Sequence, residues 1–295
     1  MSIKLVALDM DGTLLSNMRI SPANARAIQA CVQKGVRVCI ATGRIVESAR
    51  SLLADAGLYG LPIVGANGSC TVDENGNVIA EYFINAHAAS AVIRAWADMH
   101  GAIHGMSLPN SLYLGPDAET ARKLAMAYKA AWLPGQELAD VLVDDGVLTK
   151  PPVPYYKMLL VNREAPEIFT TLRPKLEQAG GLFVTTSWPG NLEIMPAGVN
   201  KGRGLAALCA HYSIAPENVM AMGDNENDLQ MLAFAGFPVL MGNYAPAMAG
   251  VSDVIAPHCD EDGVAWALEK FVIDDAKAFE AEREKQNVSK NKIII

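Results

Sequence analysis

The feature that most constrains this chain lies near its start, where the apolar run 3–8 breaks directly into Asp9-Met10-Asp11-Gly12-Thr13. A short β-rich run without polar alternation reads as a strand buried on both faces of a parallel sheet. In open sheets of that kind, the loops after the carboxyl ends of the strands converge on one crevice. The continuation fits. Ser21-Pro22 predicts a helix start, with the helix running to about Gln33 and closed by Gly35, and 36–40 predicts the next buried strand. That gives a βαβ unit. A second helix is expected over 46–56, followed by a strand at 62–64.

From about 84 to 190 the pattern changes. Helices are expected over 88–100, 118–131 and 165–179, strands at 111–114, 156–161 and 182–187, and a bend at Pro151-Pro152-Val153-Pro154. The first pattern then resumes with a helix over 202–211, a strand at 219–222, a helix over 228–235 and a strand at 238–240. The reading is therefore an α/β protein in which a Rossmann-like parallel-sheet core, residues 1–83 and 191–295, is interrupted by an α+β cap domain over 84–190. A length of 295 residues suits two such domains. The tail from about Asp274 is expected to be a charged helix.

The polar residues after the expected strands form one set. Asp9, Asp11, Gly12 and Thr13 follow the first; Thr42, Gly43 and Arg44 the second; Asn67 and Gly68 the third. Gly223, Asp224, Asn225, Asn227 and Asp228 follow a later one, and Lys201 opens the helix that feeds it. Carboxylates brought this close call for a cation, and Mg²⁺ takes one or two carboxylates with waters and phosphate oxygens. A phosphate dianion in such a site needs donors, which Thr42, backbone N–H groups around Gly43, Lys201 and Asn227 can supply. Asp9 is placed to attack phosphorus. Asp11 can protonate the leaving oxygen and then activate water.

Together, Asp9-Met10-Asp11-Gly12-Thr13-Leu14, Ala41-Thr42-Gly43-Arg44, Lys201 and Gly223-Asp224-Asn225-Glu226-Asn227-Asp228 resemble the haloacid-dehalogenase-like superfamily, specifically its Cof-type sugar-phosphatase-like branch. The resemblance implies Asp9 as nucleophile, Asp11 as acid and base, and Thr42, Gly43, Lys201 and Asn227 around the phosphate. It also implies Mg²⁺ on Asp224, Asp9 and the Asp11 backbone carbonyl, with Arg44, Asn67 and Asp228 in support. About 30 residues separate Asp11 from Thr42 and about 160 separate Thr42 from Lys201, so the insertion follows the second motif, as in the large-cap (class IIB) branch. Asp11 stands where P-type ATPases have threonine, which favours hydrolysis. The expected activity is removal of phosphate from a small phosphorylated metabolite, a sugar phosphate first. A phosphomutase of the phosphomannomutase kind and a catalytically silent phosphometabolite sensor are the alternatives.

Other features argue against rival classes. A net charge of −8 without clustered Lys and Arg works against a general nucleic-acid binder, and no nucleic-acid partner is expected. Five cysteines without a C-x-x-C fit a reducing cytoplasm, and Pro238, Gly242, Asn243 and Pro246 interrupt the longest apolar stretch, so no membrane association is expected. Gly202-Arg203-Gly204-Leu205-Ala206-Ala207 matches a dinucleotide pattern but lies too late in the core. His100 and His104 lack the glutamate of a zinc motif, and His258-Cys259-Asp260-Glu261-Asp262 reads as a solvated turn. Trp132, Tyr155, Tyr156 and Trp188 are read as cap core. Nothing in the sequence specifies an oligomeric state.

Overall fold

The computed structural model describes residues 2–85, 87–89, 92, 155–162 and 164–274, and the strands at 102–106, 111–114 and 141–143. The chain starts with β1 (Leu5–Leu8) and a small hairpin of β2 (Leu15–Ser16) and β3 (Arg19–Ile20), then α1 (Pro22–Gln33), β4 (Arg37–Ala41), α2 (Val46–Asp55) and β5 (Ile63–Gly65). α1 begins where its sequence says it must: the Ser21 side chain accepts from the Asn24 N–H, and Pro22 occupies the first turn. A further hairpin, β6 (Cys70–Val72) and β7 (Val78–Glu81), follows. It pairs antiparallel to β5 and extends the sheet beyond its parallel core strands. Its turn is local chemistry, with Asp73 Oδ1 accepting from the N–H groups of Asn75 and Asn77.

The second sheet holds β8 (Ala102–Met106), β9 (Ser111–Leu114), β10 (Val141–Val143), β11 (Lys157–Val161), β12 (Leu182–Thr185) and β13 (Asn191–Pro196), with α3 (Ile168–Gln178) between β11 and β12. The chain then returns to the first sheet through α4 (Lys201–His211), β14 (Val219–Gly223), α5 (Leu229–Phe234) and β15 (Phe237–Leu240), and finishes its described part with α6 (Gly263–Leu268). Strand order is β15-β14-β1-β4-β5-β6-β7 in the first sheet and β10-β9-β8-β11-β13-β12 in the second. Pro238 is tolerated because β15 is an edge strand.

Alternation along β1 divides the core. Val6 and Leu8 face α1 and α6 with Ile28, Val264 and Leu268; Leu5 and Ala7 face α4 and α5 with Leu205, Leu208 and Met231. The sheet is thus covered on both faces, and its loops meet at one end. The second sheet has its own core, in which Met158, Leu160 and Ile194 pack on Phe169, Leu172 and Leu176 of α3. The boundary expected after Gly190 falls just before β13, which pairs with both β11 and β12, so the second sheet runs six residues further. The polar Asn191 and the acidic Glu193 interrupt the apolar pattern of β13, whose other residues are Leu192, Ile194, Met195 and Pro196.

Among the described residues no helix is long and apolar enough to cross a membrane. The expected helix 118–131, the bend 151–154, most of the helix 88–100, Trp132 and the tail after Asp274 lie outside the described residues.

Candidate active site

Asp9 follows β1 directly and is buried; Lys201, the first residue of α4, reaches it from the neighbouring connection. Lys201 Nζ donates to Asp9 Oδ1 at 2.5 Å and to Asp228 Oδ1 at 2.6 Å, so one ammonium stands between two carboxylates. Asp228 Oδ2 accepts from the backbone N–H groups of Asp224 and Asn225 at 2.9 and 3.1 Å, and both its oxygens are therefore committed to the protein. Asp224, after β14, accepts from Thr13 Oγ1 at 3.0 Å. Gly12 is indispensable to this packing: its φ is +83°, and a Cβ there would fall 2.4 Å from Asp224 Oδ2.

Asp11 stands apart from these carboxylates. Arg44, fully buried, holds it from two sides, Nε to Oδ2 at 2.8 Å and Nη2 to Oδ1 at 2.6 Å, while the Asp11 side chain stays 43% exposed at the cleft. Its carboxylate is thus not a member of the central cluster. Thr42 Oγ1 accepts from the Arg44 N–H at 3.1 Å, closing the Thr42-Gly43-Arg44 turn. Asn227 Nδ2 donates to Asn67 Oδ1 at 3.4 Å, which links the loops after β14 and β5.

Burial, with Asp228 close by, raises the Asp9 carboxyl well above the usual carboxylate range despite Lys201. Burial and Asp228 likewise push Asp224 up to about 7. For Lys201, burial works against the ammonium, but Asp228 and Asp9 outweigh it and raise its pKa above the ordinary lysine value. Asp9, Asp224 and Asp228 offer carboxylate oxygens within 4.8 Å of one another. An all-oxygen set in which two carboxyls are driven towards protonation suits a hard divalent cation such as Mg²⁺, whose charge would let them ionise. With Asp228 committed, Asp9 and Asp224 are the side chains with capacity for it.

The second sheet forms the opposite wall. A cleft of about 320 Å³ is lined on one side by Asp9, Asp11, Gly43, Asp224 and Asn227 and on the other by Ser187, Trp188 and Glu193. Glu193, on β13, is buried; its Oε1 accepts from Lys157 Nζ at 2.8 Å and Ser187 Oγ at 3.0 Å, and its Oε2 from Asn67 Nδ2 at 2.5 Å. Lys157 Nζ also donates to the Gly43 carbonyl at 2.9 Å. Burial would raise Glu193, but Lys157 and the hydrogen bonds from Lys157 and Asn67 bring it below the usual value. On another flank, Arg173 of α3 binds Glu226 through both terminal nitrogens, at 2.6 and 3.1 Å.

Sequence reasoning missed Lys157, Ser187 and Glu193 and assigned Trp188 to the core. Tyr155 and Tyr156 are indeed buried, but Trp188 is half-buried at the cleft. The available signal was a lone charge in each of two apolar strands, Lys157-Met158-Leu159-Leu160 and Leu192-Glu193-Ile194-Met195. Such charges usually mark a solvent face, and only the docking of the two sheets turns these inward. Elsewhere, Gly202 and Gly204 lie inside α4, where a Cβ would meet Gln230 O and Val64 at 2.4 Å, so close helix packing explains that pattern. His258 Nδ1 accepts from the Asp260 N–H in an exposed turn. Asn243 ties that turn to the site, accepting from the Cys259 N–H and donating to the Gly12 carbonyl.

The family model described as haloacid dehalogenase-like hydrolase matches residues 6–268. The 5-amino-6-(5-phospho-D-ribitylamino)uracil phosphatase YcsE of Bacillus subtilis is 31% identical over 274 residues, covering 92% of this chain and 96% of that protein. A phosphoglycolate phosphatase of Methanobrevibacter smithii is 29% identical, covering 92% and 100%. Among solved structures, a subclass IIB sugar phosphatase of the superfamily superposes with a TM-score of 0.76 at 24% identity, covering 92% of this chain and 99% of that one.

Proposed function

The chain belongs to the haloacid dehalogenase-like hydrolases, and from its site we propose that it is a Mg²⁺-dependent cytoplasmic phosphatase of a small phosphorylated metabolite, a sugar phosphate first. The observation that carries this reading is the Lys201 ammonium held between the buried carboxylates of Asp9 and Asp228, with Asp224 alongside. A lysine fixed in this way orients Asp9 and leaves one of its oxygens to form the bond to phosphorus. Mg²⁺ on Asp9, Asp224 and the Asp11 backbone carbonyl would neutralise the carboxylates and the incoming phosphate.

In this reading Asp9 displaces the leaving oxygen and carries the phosphoryl group as an aspartyl phosphate. Thr42, the N–H groups around Gly43, Asn227 and Lys201 hold its oxygens. Asp11 delivers a proton to the leaving oxygen, then takes one from the water that cleaves the aspartyl phosphate. Arg44 keeps the Asp11 carboxylate at the cleft wall, 43% exposed towards the space a leaving group would occupy. Residues of the second sheet act as the cap, and the division proposed is a core of 2–83 and 197–274 with the cap over 84–196.

The test is phosphate release from p-nitrophenyl phosphate and a panel of phosphorylated metabolites, with Mg²⁺ titrated and no bisphosphate activator present. Stoichiometric, Mg²⁺-dependent phosphate release is expected. Binding of phosphometabolites without release would establish the sensor, and transfer of phosphate back to the sugar the mutase.

A further inference from the structure

The wall opposite the carboxylate cluster carries a charge that folding alone does not require. Glu193 and Lys157 are both nearly inaccessible, at 4% and 3% exposure, and burying an ion pair between sheets is costly where two apolar side chains would pack without that cost. The pair is also placed at the cleft, with Glu193 among its lining residues. A carboxylate accepts about four hydrogen bonds. Three come from Lys157, Ser187 and Asn67, which leaves capacity on Oε2.

The rest of the lining is similarly one-sided. Asp9, Asp11, Asp224 and Glu193 all face the cleft, and among its described lining residues there is no Lys, Arg or His. The cations nearby are already set against carboxylates: Lys201 against Asp9 and Asp228, Arg44 against Asp11, Lys157 against Glu193. Of the neutral polar groups, the Ser187 hydroxyl donates to Glu193, and the Asn225 amide donates to the Ser187 carbonyl. Beside them, Trp188 supplies a flat apolar face against which a carbon chain or ring can lie.

We propose that Glu193 is the specificity-determining residue of the leaving-group site, and that the leaving groups it admits carry hydroxyl or amino donors and no second anionic group. This rests on the phosphatase reading above and narrows it. A hydroxyl or amine donates to the spare lone pair of Glu193, whereas a carboxylate or second phosphate in the same place faces that lone pair with no proton to give, and no Lys, Arg or His stands among the described lining residues to receive it.

Glycerol 3-phosphate and 3-phosphoglycerate test this directly, since their leaving groups are close in size and differ by one charge. Each is measured as a competitor of p-nitrophenyl phosphate hydrolysis by the full chain with Mg²⁺ at fixed ionic strength. The expected inhibition constant for 3-phosphoglycerate exceeds that for glycerol 3-phosphate by about tenfold or more, and Glu193→Gln narrows the ratio to within about threefold. If Glu193→Gln fails to fold by circular dichroism, the neutral pair Lys157→Met/Glu193→Gln is read in its place. A wild-type ratio near one, preference for 3-phosphoglycerate, or competition by neither compound overturns the inference while p-nitrophenyl phosphate turnover leaves the phosphatase reading standing. A ratio that persists without the Glu193 charge removes Glu193 from the role. Absence of p-nitrophenyl phosphate turnover would overturn the parent reading and this one with it.

Discussion

The two walls of the cleft handle buried charge in opposite ways. On the core side, three carboxylates crowd round one lysine, and two of them, Asp9 and Asp224, are driven up in pKa. On the second-sheet side, Glu193 faces its own lysine and accepts two further hydrogen bonds, and its pKa is lowered. The first arrangement is incomplete without a cation and a phosphate, whereas in the second Lys157 balances the charge and only a lone pair on Oε2 is left to spare. In the proposed reading chemistry belongs to the core wall and selection to the wall facing it, and perturbing the two should give different signatures.

The largest effect is expected from Asp9→Asn, nearly isosteric but a far weaker nucleophile. Turnover should fall by more than about 100-fold, a loss above about 2.7 kcal/mol, with an unchanged circular dichroism spectrum. Retention of more than that residual activity would remove Asp9 from the chemistry and dissolve the contrast between the walls. Asp224→Ala should act through the metal, with residual activity appearing only at much higher Mg²⁺. An Mg²⁺ titration that superposes on the wild type would count against it.

A third test needs no substrate. In the metal-free protein the folded state holds protons on Asp224 that the unfolded chain releases, because the folded value is about 7 and the unfolded value about 4. The slope of stability with pH follows the protons bound by the unfolded state minus those bound by the folded one, and is negative here. The contribution of this group is therefore fully present below about pH 4 and is lost as the pH rises towards 7. Denaturant melts of metal-free protein should show Asp224→Asn flattening the decline over that window, and added Mg²⁺ should stabilise the wild type most at its upper end. Asp9, raised for the same reasons, should leave a residual decline; a slope unchanged by the substitution would mean that Asp224 takes no part in the charge crowding.

How far each wall was legible follows from the same contrast. Asp9, Asp11, Thr42 and Asp224 lie where a buried strand ends, a position that run length and turn chemistry mark in the sequence. Lys201 was placed by its spacing within a set of motifs. Glu193 and Lys157 lie inside strands, where a charge ordinarily signals solvent, and their meaning depends on which surface the second sheet presents to the first. The β6–β7 hairpin escaped notice because its strands are three and four residues long and one of them is exposed. The Asp11–Arg44 contact was equally unreadable, since the sequence says that both residues reach the cleft end of the sheet but not that they face each other.

The smallest effect should come from the clasp between the walls. Arg173 and Glu226 are 33% and 26% exposed, so solvent screens their attraction. A double-mutant cycle with Arg173→Ala and Glu226→Gln should give a coupling of about 1 kcal/mol or less in stability. A coupling several times larger would show that the two sheets are locked together, which a selecting cap that must open and close does not allow.

The central claim, covalent chemistry on Asp9 served in both steps by Asp11, is tested most directly by rapid quench of Asp11→Asn with p-nitrophenyl phosphate. This leaving group departs without a proton, so the first step should survive while water attack on the phosphoenzyme slows. The expected result is a burst of p-nitrophenolate of about one equivalent per site, with phosphate recovered on Asp9. Substrate binding without a burst, and without phosphate on Asp9, would contradict it.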